Sequence, residues 1–420
     1  MTLKHELLKI AQNAQSAARS MVALSSTQKD GILNDMAKRL SSNKDLILKA
    51  NKKDVIVAKA AGLPSPLIER LTLNDGRINE MSNGLLEIVK LHDPVGEVIR
   101  AWRIPNGLWI HKVRCAIGVI AIIYESRPNV TSDCIGLCFK SGNSVILRGG
   151  SEAINSNRAI YKILSDVVKA HRLHEGVISL IETTDRKAID ELLKLSGYID
   201  LVIPRGGEGL INRVVKSSRI PVIKHYKGIC HVYVDEWADL NMAEKICFNA
   251  KVQRPGVCNA MESMLVHKDA AIRFLPGMLK KFDAAGVQVR GCKLTQKIAK
   301  SLKIKRATDK DYRTEYLDLI LSVKVVETLD EAINHINEYG SHHSDSIVTE
   351  NYDNALKFLR QVDSACVYVN ASTRFTDGNQ FGMGAEIGIS TDKLHARGPM
   401  ALEELTTYKY MVFGNGQIRG

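Results

Sequence analysis

The spacing of hydrophobic residues predicts helices at the start of the chain. Apolar residues recur at helical spacing after Thr27, namely Ile32, Leu33, Met36 and Leu40. Asp30 lies three residues beyond Thr27, which is the spacing of a capping box at a helix N-terminus. The first ninety or so residues are therefore interpreted as a helical segment rather than a targeting peptide.

After this helical segment the spacing of hydrophobic residues changes to a period of two. The stretch VGEVIRAWRIPNGLWIHKVRCAIG alternates apolar and polar residues on both sides of the turn Pro105-Asn106-Gly107. This pattern predicts a long β-hairpin over about residues 96–116 that leaves the helical region. An exposed hairpin of this kind pairs with another element.

Short apolar runs then alternate with helical patterns in two series. The first series covers 118–124, 144–148, 177–182, 199–204 and 221–225. The second covers 263–267, 287–291, 319–327, 345–350 and 365–370. Strands that are apolar on both faces and separated by helices are typical of parallel sheets with right-handed crossovers. The sequence therefore predicts an α/β protein of two domains, with Cys258 near the start of the second.

Composition and charge narrow the class of protein. The chain has 420 residues and 45% hydrophobic content, enough for two or more buried cores. We find neither a membrane-spanning run nor a signal-type apolar core, so we expect a soluble, cytoplasmic protein. The net charge of +12 suggests either a nucleic-acid partner or a cleft for anionic small molecules. The lysines are spread along helices and form no basic run interleaved with aromatics, so solvated helix faces are the favoured interpretation of the charge, and a cleft for anionic small molecules fits it as well. No nucleic-acid or membrane partner is expected.

The eight cysteines indicate neither a metal site nor a disulfide framework, because no CxxC pair occurs. Cys134 and Cys138 lie one helical turn apart and are interpreted as core residues. Cys258, in VQRPGVCNAMES, lies just beyond a Pro-Gly turn, which favours presentation to a substrate over core packing. Arg254 and the N-terminus of a following helix are both expected to lower the pKa of this thiol.

Two Arg-Gly-Gly turns each follow a predicted strand and precede a helix, at Arg148-Gly149-Gly150 and Arg205-Gly206-Gly207. Such turns offer backbone N–H groups and a positive dipole end to a phosphate. The alternative is an ordinary strand-to-helix turn, because no complete GxGxxG is present. The occurrence of two such turns in one predicted sheet favours a nucleotide.

Polar residues also follow other strands. Asn129, in Arg127-Pro128-Asn129, lies where a side-chain amide would donate to an oxyanion, although the same tripeptide is common in plain turns. Lys224 and His225 end another predicted strand. His225 is equally compatible with a base, a phosphate contact or a structural hydrogen bond.

Several motifs together resemble the gamma-glutamyl phosphate reductase family of the aldehyde dehydrogenase superfamily. They are YESRPNVT, VILRGGSEAI, IPRGGEGLI, QRPGVCNAMES, LEELTTYKY and the long segment YVNASTRFTDGNQFGMGAEIGISTDKLHARGP. The resemblance extends over essentially the whole chain.

The resemblance implies two Rossmann-type α/β domains and a small β element for oligomerisation. It gives an NADP(H)-binding domain over 1–228 that includes the hairpin, a catalytic domain over 229–390, and an oligomerising C-terminal segment over 391–420. A homo-oligomer is expected.

The resemblance also implies roles for individual residues. Cys258 matches the catalytic cysteine, Asn129 the oxyanion asparagine and Glu315 the glutamate that contacts the cofactor ribose. Arg148 matches a lysine near the adenosine ribose, where a guanidinium suits the 2′-phosphate of NADPH. The cofactor is therefore expected to be NADPH/NADP, and no metal is expected.

The implied reaction is reduction of L-glutamyl 5-phosphate to L-glutamate 5-semialdehyde and phosphate, in proline biosynthesis. Candidates for binding the substrate anions are Arg127, Lys224, His225 and Arg254. The segment HYKG at 225–228 replaces the Glu-Leu-Gly-Gly of general aldehyde dehydrogenases, whose glutamate activates water. This departure favours exchange with phosphate over hydrolysis. The alternatives are an NADP-dependent aldehyde dehydrogenase for another small aldehyde and, on charge alone, a nucleic-acid-binding protein.

Overall fold

The N-terminal segment is helical, as predicted. A computed structural model describes residues 2–224 and 227–419. Its first five helices are α1 (Leu3–Met21), α2 (Ser26–Ser42), α3 (Lys44–Ala60), α4 (Ser65–Leu71) and α5 (Asp75–Lys90). The capping box of α2 is formed by Ser25 and Gln28, so its predicted assignment to Thr27 and Asp30 was wrong. The carboxylate of Asp30 instead forms an ion pair with Lys140.

The predicted hairpin forms a small sheet with the end of the chain. Its strands are β1 (Val98–Arg103) and β2 (Trp109–Ala116), paired antiparallel. The last strand of the chain, β16 (Thr406–Phe413), pairs antiparallel with the other edge of β2. Most side chains of β16 are exposed, so this sheet presents a wide uncovered surface.

The first α/β series forms a four-stranded sheet in which all strands are parallel. Its strands are β3 (Val119–Tyr124), β4 (Ser144–Arg148), β5 (Ile178–Leu180) and β6 (Leu201–Arg205), in the order β5-β4-β3-β6. Its helices are α6 (Asn129–Lys140), α7 (Ile154–Ala170), α8 (Lys187–Leu192) and α9 (Glu208–Ser217). Of the fifth predicted strand, at 221–225, the structure describes residues 221–224, and these contribute a bridge between Val222 and Val202.

The second series forms a seven-stranded parallel sheet in the order β10-β9-β11-β8-β7-β12-β13. Its strands are β7 (Cys230–Val234), β8 (Met261–His267), β9 (Gln288–Gly291), β10 (Lys305–Arg306), β11 (Ile320–Val326), β12 (Ser344–Val348) and β13 (Cys366–Val369). Its helices are α10 (Leu240–Val252), α11 (Lys268–Ala284), α12 (Lys293–Ile298), α13 (Asp309–Tyr312), α14 (Leu329–Tyr339) and α15 (Tyr352–Gln361). Strands β14 (Gly388–Ser390) and β15 (Gly398–Met400) pair with each other.

Two strands of this second sheet were missed by the sequence analysis. They are the short edge strand β10 and the buried strand β7, which lies between β8 and β12. The second series therefore begins before Cys258 rather than after it.

Contacts between Cα atoms divide the chain into two compact units. Unit 1 consists of residues 1–224, 382–388 and 400–420, and unit 2 of residues 225–381 and 389–399. The functional domain boundaries implied by the resemblance stay a prediction. Among the described residues, no helix is both long enough and apolar enough to cross a bilayer.

Candidate active site

Cys258 lies in unit 2, in a loop between α10 and β8 that we call the cysteine loop (residues 253–260). Cys258 is half-buried, as are Cys115 and Cys292, whereas the other five cysteines are buried: Cys134, Cys138, Cys230, Cys247 and Cys366. The predicted core role of Cys134 and Cys138 is thereby confirmed. The expectation of a helix after Cys258 was wrong, because residues 261–267 form strand β8.

Two neighbours fix the backbone of Cys258. The Cα of Gly228 lies so close that an added Cβ would be 2.0 Å from the carbonyl oxygen of Cys258. The Cys230 thiol donates to that same carbonyl oxygen, with sulfur and oxygen 3.2 Å apart. Burial raises the pKa of Cys230 well above its ordinary value, which keeps this donor protonated. The carbonyl of Cys258 is therefore held in one position.

Asn259, the next residue, ties the cysteine loop to the segment after β13. Its Nδ2 donates to the carbonyl of Thr376 at 2.8 Å, and its Oδ1 accepts from Nη1 of Arg374. Nε of Arg374 also donates to Oε1 of Gln253 at 2.9 Å. Because Asn259 is buried, these bonds restrain the loop at both of its ends.

Arg374 also brings a positive charge to the cysteine loop. Burial lowers the pKa of Arg374, the neighbouring charge of Arg254 lowers it further, and Cys258 opposes the shift. Arg254 itself is exposed. The sequence analysis selected Arg254 but missed Arg374, although it quoted the segment STRFTDG, because nothing in a local pattern links positions 259 and 374.

The predicted ribose contact, Glu315, lies close to the same loop. Its Oε1 accepts a hydrogen bond of 2.8 Å from the backbone N–H of Gly228, the glycine that packs on Cys258. Lys224 is half-buried and belongs to unit 1. His225, proposed with it as a substrate-binding residue, lies outside the described residues.

In unit 1, Asn129 is the first residue of α6 and is half-buried. Its Nδ2 donates to Oδ2 of Asp133 at 3.1 Å. An amide carries two N–H bonds, so this contact accounts for one of them. Burial raises the pKa of Asp133 to about 6, although the Asn129 bond and the charge of Arg205 work against that rise. Arg127, two residues before Asn129, is half-buried as well.

The first glycine turn presents a buried cation at the carboxyl end of β4. Nη1 of Arg148 donates to the carbonyl of Gly149 at 3.0 Å, and Nη2 donates to that of Thr184 at 3.3 Å. Its Nε is buried without a hydrogen-bond partner among the described residues. Burial lowers the pKa of Arg148, the charge of Glu152 opposes that shift, and the charge of Arg186 adds to it. The arrangement suits an added anion.

The second glycine turn already contacts an anion of the protein. The N–H of Gly207, at the N-terminus of α9, donates to Oε2 of Glu125 at 2.8 Å. An added Cβ at Gly206 would lie 2.3 Å from that same oxygen. The turn is thus closed by a carboxylate at the place where the sequence analysis expected a phosphate.

One group with metal-ligand chemistry occurs within 2–224 and 227–419. Ligand atoms of Glu236, His267 and Asp269 all lie within 4.8 Å of one another. Both carboxylates belong to exposed residues, and Nδ1 of His267 already accepts from the backbone N–H of Asp269 at 3.3 Å. We assign no metal to this group.

Comparison with known proteins places the chain in a family. The aldehyde dehydrogenase family model matches residues 3–291 and 307–411. A gamma-glutamyl phosphate reductase from Thermodesulfovibrio yellowstonii is 58% identical over 419 residues, which is 100% of both chains. The crystal structure of a gamma-glutamyl phosphate reductase from Thermotoga maritima has a TM-score of 0.96 at 48% identity, covering 99% of this chain and 100% of that chain.

A more distant structure shares the fold. Glyceraldehyde-3-phosphate dehydrogenase from Methanocaldococcus jannaschii, complexed with NADP, has a TM-score of 0.69 at 18% identity and covers 98% of this chain and 95% of that one. The predicted aldehyde dehydrogenase-like fold, with parallel sheets and small separate β elements, is confirmed. The chain belongs to the aldehyde dehydrogenase family and, within it, to the gamma-glutamyl phosphate reductases, which are oxidoreductases.

Proposed function

We propose that this chain reduces L-glutamyl 5-phosphate to L-glutamate 5-semialdehyde and phosphate, with NADPH as reductant, in proline biosynthesis. The observation that carries the proposal is the cysteine loop, in which the half-buried Cys258 has a fixed backbone and two arginines beside it. The substrate is inferred from the family, because relatives that match the chain over its whole length are named gamma-glutamyl phosphate reductase.

The first chemical step belongs to Cys258. Its thiolate attacks the carbonyl carbon of the acyl phosphate, and the C–O bond to phosphate breaks as the S–C bond forms, leaving a thioester. The charges of Arg254 and Arg374 favour the thiolate over the thiol. The same arginines suit the departing phosphate, which leaves as an anion.

The developing oxyanion requires donors that are already in place. The backbone N–H of Cys258 is one candidate, because its peptide is held by Gly228 and Cys230. Asn129 is the oxyanion asparagine that the family resemblance implies, and it retains a second amide hydrogen, since the first is committed to Asp133.

NADPH, when bound, supplies the hydride that converts the thioester to the aldehyde and frees the thiol. The residues that would hold it are Arg148, Gly149 and Gly150, and the buried Nε of Arg148 supports the fit. Glu315 would contact the ribose. The Arg205-Gly206-Gly207 turn would accept a phosphate only after the Glu125 carboxylate leaves the amide of Gly207.

The glutamate carboxylate and the phosphate of the substrate need cations. Arg127, Lys224, His225 and Arg254 remain our candidates, and Arg374 joins them on its position in the cysteine loop. The product carries an amine placed to close a five-membered ring with the new aldehyde, which would give pyrroline-5-carboxylate.

The hairpin sheet of β1, β2 and β16 is our candidate for the surface between copies of the chain. Its exposed large apolar residues include Trp109, Tyr410, Val412 and Phe413. We place the enzyme in the cytoplasm, where its reductant is available.

The reverse reaction tests the proposal. We expect the protein to reduce NADP with glutamate 5-semialdehyde beyond a single turnover only when phosphate is present, and Cys258→Ser to lower that steady rate by ~10³-fold or more, because a serine hydroxyl is not ionised near neutral pH. Cys292→Ser is the matched control, since Cys292 is also a half-buried cysteine of unit 2.

Two results would contradict the proposal. Continuous reduction of NADP without phosphate would indicate an ordinary aldehyde dehydrogenase for this or another small aldehyde. Equal rates for the parent and Cys258→Ser would exclude the cysteine intermediate.

A further inference from the structure

Glu315 is tied to the nucleophile by two consecutive contacts within unit 2. Its Oε1 accepts from the N–H of Gly228 at 2.8 Å, and Gly228 packs directly on the backbone of Cys258. Both contacts are made between atoms of the protein itself. Glu315 thus has a structural link to the reacting sulfur that is separate from the ribose contact implied by the family.

The second contact leaves no room for adjustment. An added Cβ at Gly228 would lie 2.0 Å from the carbonyl oxygen, 2.6 Å from the carbonyl carbon and 2.6 Å from the Cα of Cys258. All three are backbone atoms, so a side chain at position 228 would require the cysteine loop itself to move. Any displacement of the Gly228 peptide toward Cys258 has the same consequence.

The segment that carries Glu315 is itself anchored next to the cysteine loop. The backbone N–H of Leu317 donates to Oε1 of Glu262 at 3.0 Å. Glu262 lies four residues after Cys258, and its Oε2 pairs with Nζ of Lys251 at 2.6 Å, with both side chains at most 1% exposed. Lys251 and Glu262 flank the cysteine loop in sequence, so this pair closes its base.

A further bond holds the same segment from its other side. The hydroxyl of Tyr316 lies 2.9 Å from Oγ of the buried Ser322 on β11. Leu317 has a positive φ of 54°, which a leucine keeps only where its surroundings impose it. Glu315 therefore projects from a fixed segment, and its carboxylate holds Gly228 in a fixed place.

We propose that Glu315 is a positioning residue for Cys258, which it holds through the Gly228 amide whether or not the cofactor is bound. The inference rests on the proposed function, in which Cys258 is the nucleophile and its backbone N–H helps to bind the oxyanion. Loss of the Glu315 acceptor frees the Gly228 peptide, and the cysteine loop loses the surface that it packs on.

The test is acylation of the thiol in the absence of any nucleotide. With p-nitrophenyl acetate, the Cys258 sulfur forms an S–C bond to the acetyl group and p-nitrophenolate leaves, so the burst of phenolate measures acylation alone. We expect Glu315→Ala to slow this burst by roughly tenfold or more, since small misplacements of reacting groups are costly. Glu315→Gln retains an acceptor oxygen and should stay within about threefold of the parent.

Two more variants test whether the effect depends on the length of the side chain at position 315 or on its charge, and a control accounts for folding. Glu315→Asp keeps the carboxylate but is one methylene shorter, so it should behave like Glu315→Ala. Gly228→Ala should slow the burst at least as much as Glu315→Ala. Glu350→Gln, at an exposed glutamate of the same unit, is the control and should leave the burst unchanged. Thermal melting identifies any variant that has failed to fold, and the remaining variants then carry the test.

The outcomes are distinguishable from failure of the proposed function. A burst that persists in Cys258→Ser would mean that Cys258 is not the nucleophile. A burst that depends on Cys258 but is equally fast in the parent, Glu315→Ala and Glu315→Asp would overturn the positioning role. If the burst is unchanged in these variants and only the KM for NADPH rises, Glu315 acts on the cofactor alone.

Discussion

The buried pair of Lys251 and Glu262 gives the sharpest prediction about stability. We consider Lys251→Met, which keeps most of the volume of the side chain and removes its charge. Both partners are at most 1% exposed and lie 2.6 Å apart, so Glu262 would be left without its cation in a dry environment. Removing one partner of a buried pair costs about 3–5 kcal/mol. At about 2–4 °C per kcal/mol for a domain of this size, we expect the melting temperature to fall by about 6–20 °C.

The fall in melting temperature caused by Lys251→Met should also depend on pH. Burial already raises the pKa of Glu262 from an ordinary 4.5 to about 7, and the charge of Lys251 opposes that rise. Without Lys251 the pKa of this carboxyl rises further. A group whose pKa is raised by folding contributes stability below its unfolded pKa and loses it as the pH passes through its folded pKa. The deficit of Lys251→Met should therefore be larger near pH 8.5 than near pH 5.5.

The assay is thermal unfolding at a fixed scan rate and at both pH values. Lys357→Met is the control, because Lys357 pairs with Asp330 at the same 2.6 Å while both side chains are exposed by a third or more. It should shift the melting temperature by no more than about 4 °C. Lys251→Met combined with Glu262→Gln should recover most of the loss. Equal shifts for Lys251→Met and Lys357→Met, or a deficit that shrinks as the pH rises, would refute the reasoning.

Three further predictions concern charges elsewhere in the chain. Arg254→Ala should slow acylation by glutamyl phosphate by roughly tenfold, because a cation beside the leaving phosphate is lost; unchanged turnover at both saturating and limiting substrate would contradict this role. Arg148→Leu should raise the KM for NADPH by ~10-fold or more and change the KM for NADH little, as steady-state kinetics with both cofactors would show. An equal rise of both KM values would argue against a contact between Arg148 and the 2′-phosphate. Burial raises the pKa of Asp133 from 3.8 to about 6, so its contribution to stability is complete below pH 3.8 and is lost as the pH rises through about 6. Asp133→Asn should therefore weaken the pH dependence of melting in that window by an amount worth about 3 kcal/mol, and an unchanged pH profile would argue against it.

Much of the fold follows from local patterns, because buried parallel strands and amphipathic helices leave a clear hydrophobic period. Strand β7 escaped notice because His231 interrupts its apolar run. In the structure that histidine is buried and its Nδ1 lies 2.9 Å from Oδ1 of Asp345, a partner 114 residues away. The α2 cap was misplaced because two capping-box patterns overlap, and the choice is made by the contact of Asp30 with the distant Lys140.

The candidate site likewise combines features that are visible in the local sequence with contacts between residues far apart in the chain. The Pro-Gly turn before Cys258 is a local signal, and it identified a half-buried cysteine among several buried ones. The bonds that restrain this cysteine are not local: Gly228, Arg374 and Glu315 reach it from 30, 116 and 57 residues away. Such contacts depend on how strands of one sheet are ordered, which the spacing of residues along the chain does not encode. The sequence analysis expected the N–H groups of the Gly207 turn to bind a phosphate, because the actual acceptor, Glu125, lies at the end of another strand.

The central claim, a glutamyl thioester on Cys258 that phosphate rather than water discharges, can be measured directly. The protein is mixed with NADP and glutamate 5-semialdehyde without phosphate, and NADPH formation is followed before the protein is digested for peptide mass spectrometry. We predict a burst of about one NADPH per chain and a glutamyl adduct on the Cys258 peptide, which disappears with renewed turnover when phosphate is added. Continuous NADPH formation without phosphate, or an adduct on any other residue, would contradict the account.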